Sequence, residues 1–316
     1  MVTITIIKSI ICQRPLNVTI YIVIFVLFLF FIHQWNITHQ VYGLYFGNNI
    51  VINSGNVSSS FTKGQMSSVE RGYPYVVWVD KNNTIYFGAS HENGTKFSSP
   101  IALSSNNTLA FSPQIVATEK GGVYVVWVDK NNATGDSNIV FRGSNDNGKS
   151  FDRSVRLNRN ASPNQTSVAS YPQIVATEKG GVYVVWVDKN NATGDSNIVF
   201  RGSNDSGKSF DSSVRLNRNP NQISLSFSPQ IAASENGSIF VTWPENTLQF
   251  KEILDGGNIF GRTVSLNNHV VLPLSAQIVS AENGNIYLAW AEKTDGLNND
   301  AVLMFKRISQ YYFDRR

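Results

Sequence analysis

Hydrophobic positions fall into one long apolar run near the start of the chain and a series of short segments after it. The run from Leu16 to Ile32, LNVTIYIVIFVLFLFFI, holds seventeen residues without a charge. That is the short end of the roughly 17–25 residues that cross a bilayer as a helix. Farther on, VYVVWV at Val123–Val128 and again at Val182–Val187 is rich in β-branched and aromatic residues and has no polar face. This pattern predicts strands covered on both sides. Turn sequences such as EKGG, ENGS and ENGN separate the segments.

The segments recur. Residues 113–160 are repeated at 172–219 with two changes, Asn147 to Ser206 and Arg153 to Ser212. Gln65, Gln114, Gln173, Gln230 and Gln277 each stand thirteen residues before a tryptophan, at Trp78, Trp127, Trp186, Trp243 and Trp290. Five units follow, each a short apolar strand, a tryptophan-bearing strand, a third strand with Phe87, Phe141, Phe200, Phe250 or Phe305, and a short fourth strand. Units of about 50 residues that cannot bury their apolar faces alone stack on copies of themselves. The expected fold is all-β, a β-propeller of five four-stranded blades preceded by one transmembrane helix.

The fifth unit ends without a fourth strand, yet Phe46, Ile50, Ile52 and Asn53 reproduce the fourth-strand spacing of Phe151, Val155, Leu157 and Asn158. An N-terminal strand therefore closes the last blade and leaves no open sheet edge. The resulting division is 1–15 cytoplasmic, 16–35 membrane anchor, 36–43 linker and 44–316 propeller.

Lys8 and Arg14 precede the apolar run, and the next basic side chain after it is Lys63. The positive-inside rule then places the N-terminus in the cytoplasm and the repeats outside. A cleaved signal peptide is the competing reading, although WNITHQVYG offers no A-x-A-like site; both export the repeats. Eleven N-x-[ST] sequons lie beyond the run, compatible with a surface glycoprotein. Cys12 is the only cysteine, so no disulfide forms within the chain. The net charge of +4 is scattered over the repeats, and no nucleic-acid partner is expected.

The turn between the third and fourth strands carries the most specific motif. Ser144, Asp146, Gly148 and Phe151, and again Ser203, Asp205, Gly207 and Phe210, resemble the Asp box of the bacterial neuraminidase repeats; Ser90, Glu92, Gly94 and Phe97 form a variant with glutamate. Short polar side chains bond the hairpin backbone there, and glycine supplies positive φ. The resemblance, to sialidase-like propellers, covers roughly residues 44–313 and implies that the boxes are structural and lie opposite the ligand face. It also implies an arginine cluster, a tyrosine–glutamate pair, an aspartate acid/base and a Phe-Arg-Ile-Pro-like motif. The chain lacks that motif, and the innermost strands open as GQMSS, PQIVA, PQIVA, PQIAA and AQIVS, with neither carboxylate nor arginine. No catalytic residue can be assigned, and none of the residues is assigned to a metal.

Candidate ligand contacts lie in the loops between strands two and three. These carry Asp129, Asn131 and Asp136, their copies Asp188, Asn190 and Asp195, and Asp295 and Asp300 in the fifth unit. Such oxygens suit calcium or a sugar, and they equally suit simple turns. No cofactor is expected beyond that open calcium reading. The expected function is a membrane-anchored surface propeller that recognises an extracellular glycan, protein or envelope ligand without catalysis. An exo-α-sialidase-like glycoside hydrolase and an architectural envelope protein are the alternatives. Closure by the N-terminal strand has a direct check: deleting residues 44–54 should yield an aggregated or unfolded domain, and a truncation that melts at the parent temperature contradicts it.

Overall fold

The computed structural model describes residues 49–50, 52, 64–69, 74–91, 94–105, 108–131, 133–158, 167–190, 193–218, 228–267, 273–281, 283–293 and 301–309. The chain divides into Met1–Asn49 and Ile50–Arg316. The apolar run, its flanks and the linker lie outside the described residues, as does most of the expected closing strand. Among the described residues no helix is long and apolar enough to cross a membrane.

The second unit is all-β. Its first sheet holds β1 (Gln65–Ser67), β2 (Tyr75–Val79), β3 (Ile85–His91), β4 (Lys96–Phe97) and β5 (Ile101–Ala102). The second holds β6 (Leu109–Ala117), β7 (Val123–Lys130), β8 (Ser137–Ser144) and β9 (Val155–Arg156), and the third holds β10 (Ser167–Ala176), β11 (Val182–Asn190), β12 (Ser196–Ser203) and β13 (Val214–Arg215). A fourth contains β14 (Gln230–Ala233), β15 (Ile239–Pro244), β16 (Leu248–Leu254), β17 (Ile259–Phe260) and β18 (Val264–Ser265), with a 3-10 turn at Asp255–Gly257. The last has β19 (Pro273–Ser280), β20 (Ile286–Lys293) and β21 (Ala301–Ile308). Within each sheet neighbouring strands run antiparallel; one parallel bridge, Val168 to Ser137, joins the second and third.

The innermost strands are longer than the short apolar segments suggest. β6 and β10 begin before their glutamines and pass a register shift, between Phe111 and Gln114 and between Ser170 and Gln173. Pro113 and Pro172 sit in these bulges, after Ser112 and Tyr171 at φ of 51° and 54°. Proline lacks a ladder donor, and a bulge is where a strand tolerates it.

Each central sheet buries both faces. Val123 to Val128 are all at most 2% exposed, because alternate side chains enter different cores. Val123, Val125, Trp127 and Val140 pack on Tyr75, Val77, Ile85 and Phe87 of the first sheet. Tyr124, Val126, Ile139 and Phe141, from the other face, meet Val182, Val184 and Trp186 of the third. The same pairing joins Phe200 and Val185 to Trp243 and Val241, and Phe240 and Phe250 to Trp290 and Leu288. Every interface sets the phenylalanine face of one sheet on the tryptophan face of the next. The tryptophans are thus packing residues; each fully buried large side chain contributes about 1.5–3 kcal/mol.

Two backbone devices lock these faces. Arg142 donates to the carbonyls of Asp152 and Phe151 in its own sheet and, at 3.1 Å, to Leu103 of the preceding one. Arg201 repeats this with Asp211, Phe210 and, at 2.7 Å, Leu157. Asn158 and Asn217, both buried, accept the N–H groups of Ile139 and Ile198 and so fix where the third strand begins.

Phe305 departs from its counterparts. It is 68% exposed, whereas Phe87, Phe141, Phe200 and Phe250 are at most 8%. β21 pairs only with β20 among the described residues, and Ile50 and Ile52 carry no strand there.

Gly148 supplies a prediction. At φ +76° it lies so close to Phe87 that a Cβ would stand 2.5 Å from the ring. Gly148→Ala should lower stability by about 1–3 kcal/mol, read as a fall in Tm, while Gly135→Ala, in open space at φ +76°, should cost less. Equal losses contradict the account.

Candidate functional site

The strand three–four hairpins form one end of the sheets. In the second sheet, Ser144 Oγ donates to Asp146 Oδ1 at 2.6 Å and accepts the Gly148 N–H at 3.0 Å. Asp146 also accepts the Ser150 N–H at 3.0 Å. Asn147 and Gly148 both have positive φ, and the Asn147 N–H reaches the Gly121 carbonyl at 3.0 Å, tying two turns of one sheet together. Phe151 then stands edge-on to Phe87 of the neighbouring sheet, centroids 4.9 Å apart. The third sheet copies this with Ser203, Asp205, Gly207 and Phe210, whose ring meets Phe141 at 4.9 Å. In the first-sheet variant, Ser90 Oγ is buried and has no hydrogen-bond partner among the described residues, Gly94 keeps φ +84°, and Phe97 pairs with Ser90 in register. Glu92 lies outside the described residues.

These carboxylates serve the turns. Hydrogen bonds from Ser144 and then Ser150 hold the Asp146 carboxyl down at about 2. Bonds from Ser209 do the same for Asp205, also at about 2.

The strand two–three loops lie at the other end, because antiparallel strands reverse direction at every hairpin. In the second sheet Asn131 Oδ1 accepts the Ala133 N–H at 2.8 Å, Thr134 Oγ1 donates to Asp136 Oδ2 at 3.0 Å, and the Asn131 N–H meets the Asp136 carbonyl at 2.8 Å. Asp129 stands opposite Asn138 in the ladder. Asp129 and Asp136 each keep one buried carboxylate oxygen without a partner among the described residues. The copy is alike: Asn190 accepts from Thr193, the Asp195 N–H donates to Thr193 Oγ1, and Asp188 stands opposite Asn197. These side chains close their own loops and do not converge. Among the described residues no group of three or more His, Cys, Asp or Glu could hold a metal ion. Asp295 and Asp300 lie outside the described residues.

The fourth sheet differs at this end. Trp243 and Phe250 stand seven residues apart, against fourteen for Trp127 and Phe141, so the loop shrinks to a tight connection. A cavity of about 310 Å³ opens beside it, lined by Arg218, Glu245, Asn246, Thr247, Gln249, Thr263 and Ser265. Gln249 Nε2 donates to Ser265 Oγ at 3.1 Å, and Thr247 Oγ1 to the same oxygen at 3.2 Å. Glu245, 8% exposed, accepts the Trp243 indole N–H at 3.0 Å. Thr263 Oγ1 is buried without a partner among the described residues. Burial, and then the like charge of Arg218, hold Lys251 below the ordinary lysine range.

The glutamate is a signal that was present in the sequence. Trp243 and Trp290 are each followed two residues later by glutamate, which reaches the indole; Trp290 does so at 2.5 Å through Glu292. Trp78, Trp127 and Trp186 are followed two residues later by Asp80, Asp129 and Asp188, one methylene shorter, and their indole N–H groups are buried without a partner among the described residues.

A second cavity, about 680 Å³, lies at the box end between the first and second sheets. Val69, Ala89 and Ile101 contribute apolar lining, and Asn147, Gly148 and Lys149 of the box turn line part of it. Burial, and then Glu119, raise Tyr75 beside it above the usual tyrosine range. Since Ser206, Gly207 and Lys208 repeat that turn in the third sheet, this part of the lining is generic.

With this geometry in place, known structures can be compared. The chain is similar to an α-L-arabinanase of Penicillium chrysogenum solved with arabinobiose, at 16% identity over 81% of this chain and 83% of that one, TM-score 0.53. An α-L-arabinofuranosidase of Fusarium graminearum matches at 14% identity over 81% and 82%, TM-score 0.53. A protein of unknown function from Dyadobacter fermentans matches at 10% identity over 77% and 75%, TM-score 0.52. These likenesses define the class of fold, an all-β propeller-like architecture. No protein-family model matches the chain, and no curated protein matches it in sequence.

The boxes generate a pH prediction. A folded-state value of about 2 lies below the ordinary 3.8. The stability these carboxylates add is present above pH 4 and is lost as pH falls from about 4 to about 2. The double variant Asp146→Asn, Asp205→Asn should melt lower at pH 6 and show a shallower fall in Tm over that window. A parental slope contradicts the assignment.

Proposed function

We propose that the chain is a membrane-anchored surface protein whose five-bladed propeller binds an extracellular glycan without cleaving it. The observation that carries this reading is the cavity of the fourth sheet. Its lining sets the hydroxyls of Thr247, Thr263 and Ser265, the amides of Asn246 and Gln249 and the guanidinium of Arg218 around one small space. Such groups can replace the water around sugar hydroxyls with bonds of equal kind. Among the described residues the lining contains a single carboxylate, Glu245, which holds an indole. Glycoside hydrolysis by the common route uses two carboxyl groups about 5–9.5 Å apart, and this cavity supplies one.

The anchor rests on Leu16–Ile32 with Lys8 and Arg14 before it, which orients the repeats outward. The five-blade count rests on the recurring Gln–Trp spacing, with the segment bearing Ile50, Ile52 and Asn53 as the outer strand of the fifth blade.

A second reading, a glycoside hydrolase, is favoured by the names of the arabinan-active proteins that share the fold. The full chain, solubilised in detergent, separates the two. It should bind glycans on an array without turning over arabino-oligosaccharides or sialosides, and Arg218→Ala should weaken binding about tenfold or more. Turnover that survives purification overturns the non-catalytic reading. Binding unchanged in Arg218→Ala moves the site elsewhere, and a uniformly negative array favours a protein ligand or an architectural role.

A further inference from the structure

The cavity of about 680 Å³ between the first and second sheets has the size of a small-molecule site. Its second-sheet side is generic, but its first-sheet side is built where the first sheet departs from the repeat. Counted from Glu70, Phe87 and Phe97, the lining residues Val69, His91, Ser98 and Ser99 take the places of Thr118, Asn145, Asp152 and Arg153 in the second sheet. Two charged side chains thus give way to serines, and a threonine hydroxyl gives way to a methyl group.

The boundary tyrosine registers the exchange. Tyr124 donates its hydroxyl to Asn145 Oδ1 at 3.1 Å, and Tyr183 donates to Asn204 Oδ1 at 3.0 Å. In the first sheet His91 holds that asparagine's place, and the Tyr75 hydroxyl has no hydrogen-bond partner among the described residues. Tyr75 is 6% exposed and lines the cavity. Its raised pKa, from burial and then from Glu119, keeps the phenol protonated and therefore a donor. A buried donor left unbonded costs free energy that an incoming acceptor recovers. Val69, Ala89 and Ile101 make the neighbouring wall apolar. Glu119 and Lys149, both exposed, bring one charge of each sign to the rim, so the lining offers no net counter-charge to an ion.

We propose that this cavity is a second ligand site, at the end of the sheets opposite the fourth-sheet cavity. It takes an uncharged, mainly apolar molecule, about the size of one substituted benzene ring, whose carbonyl oxygen accepts the Tyr75 O–H. The apolar body lies on Val69, Ala89 and Ile101. The corresponding place in the second and third sheets is served by the asparagine, so the site belongs to the first boundary alone among these three. The inference is independent of the proposed glycan binding, which uses other residues.

Ligand-observed NMR on the full chain in lipid nanodiscs tests it, with N-benzylacetamide as the probe and empty nanodiscs as the blank. The probe should bind with a Kd of about 1 mM or tighter, and Tyr75→Phe should weaken it about fivefold. The anion 3-phenylpropanoate, of matching size, should bind at least about tenfold more weakly. Val69→Thr with His91→Asn restores the residues of the other sheets and should lower probe affinity about tenfold without lowering Tm. Absence of probe binding, or parental affinity in that double variant, overturns the site. If the double variant melts lower, Tyr75→Phe decides, and parental affinity there overturns the proposal. Equal affinity for the anion overturns the uncharged class. A negative glycan array leaves all these outcomes unchanged, so the two proposals fail separately.

Discussion

A sheet that is apolar on both faces cannot stand at an edge. That constraint governs the second, third and fourth sheets, whose two faces are both buried. In VYVVWV, Tyr124, Val126 and Val128 point one way and Val123, Val125 and Trp127 the other, and each set is buried against a different neighbour. A layer of this kind needs a sheet before it and one after it. The box turns belong to this logic. Their carboxylates hold a tight hairpin so that a glycine and a ring fit over the preceding sheet's phenylalanine, and Arg142 and Arg201 carry hydrogen bonds over the same boundary.

Much of this was legible in the sequence because repetition exposes it. The spacing of Gln114 to Trp127 and the position of Phe141 mark strands and buried residues that the structure shows. What stayed hidden depends on contacts between distant segments. The bulge at Ser112–Pro113 lengthens a strand whose apolar signal begins later. The reach of Arg142 to the Leu103 carbonyl leaves no mark in local pattern, since its partner is backbone.

The candidate site was less legible than the fold. Acidic and amide residues in the strand two–three loops drew attention by number, yet Asn131, Thr134 and Asp136 bond one another. Their duplication in Asn190, Thr193 and Asp195 marks generic loop construction. The fourth-sheet cavity arises where the repeat is broken, by a shortened loop and by glutamate in place of aspartate after the tryptophan. Glu245 gives its charge to a buried indole, and the remaining lining is neutral apart from Arg218. The proposed glycan binding rests on this lining.

The proposed five-bladed closure requires that the fifth sheet be covered on its phenylalanine face and along the edge of β21. Native-state hydrogen exchange on the full chain measures this directly. The account predicts that amides of Leu303 to Ile308 are protected to an extent comparable with Ile139 to Ser144 of the second sheet. Exchange in β21 at the rate of an open edge, with β8 protected, would contradict it.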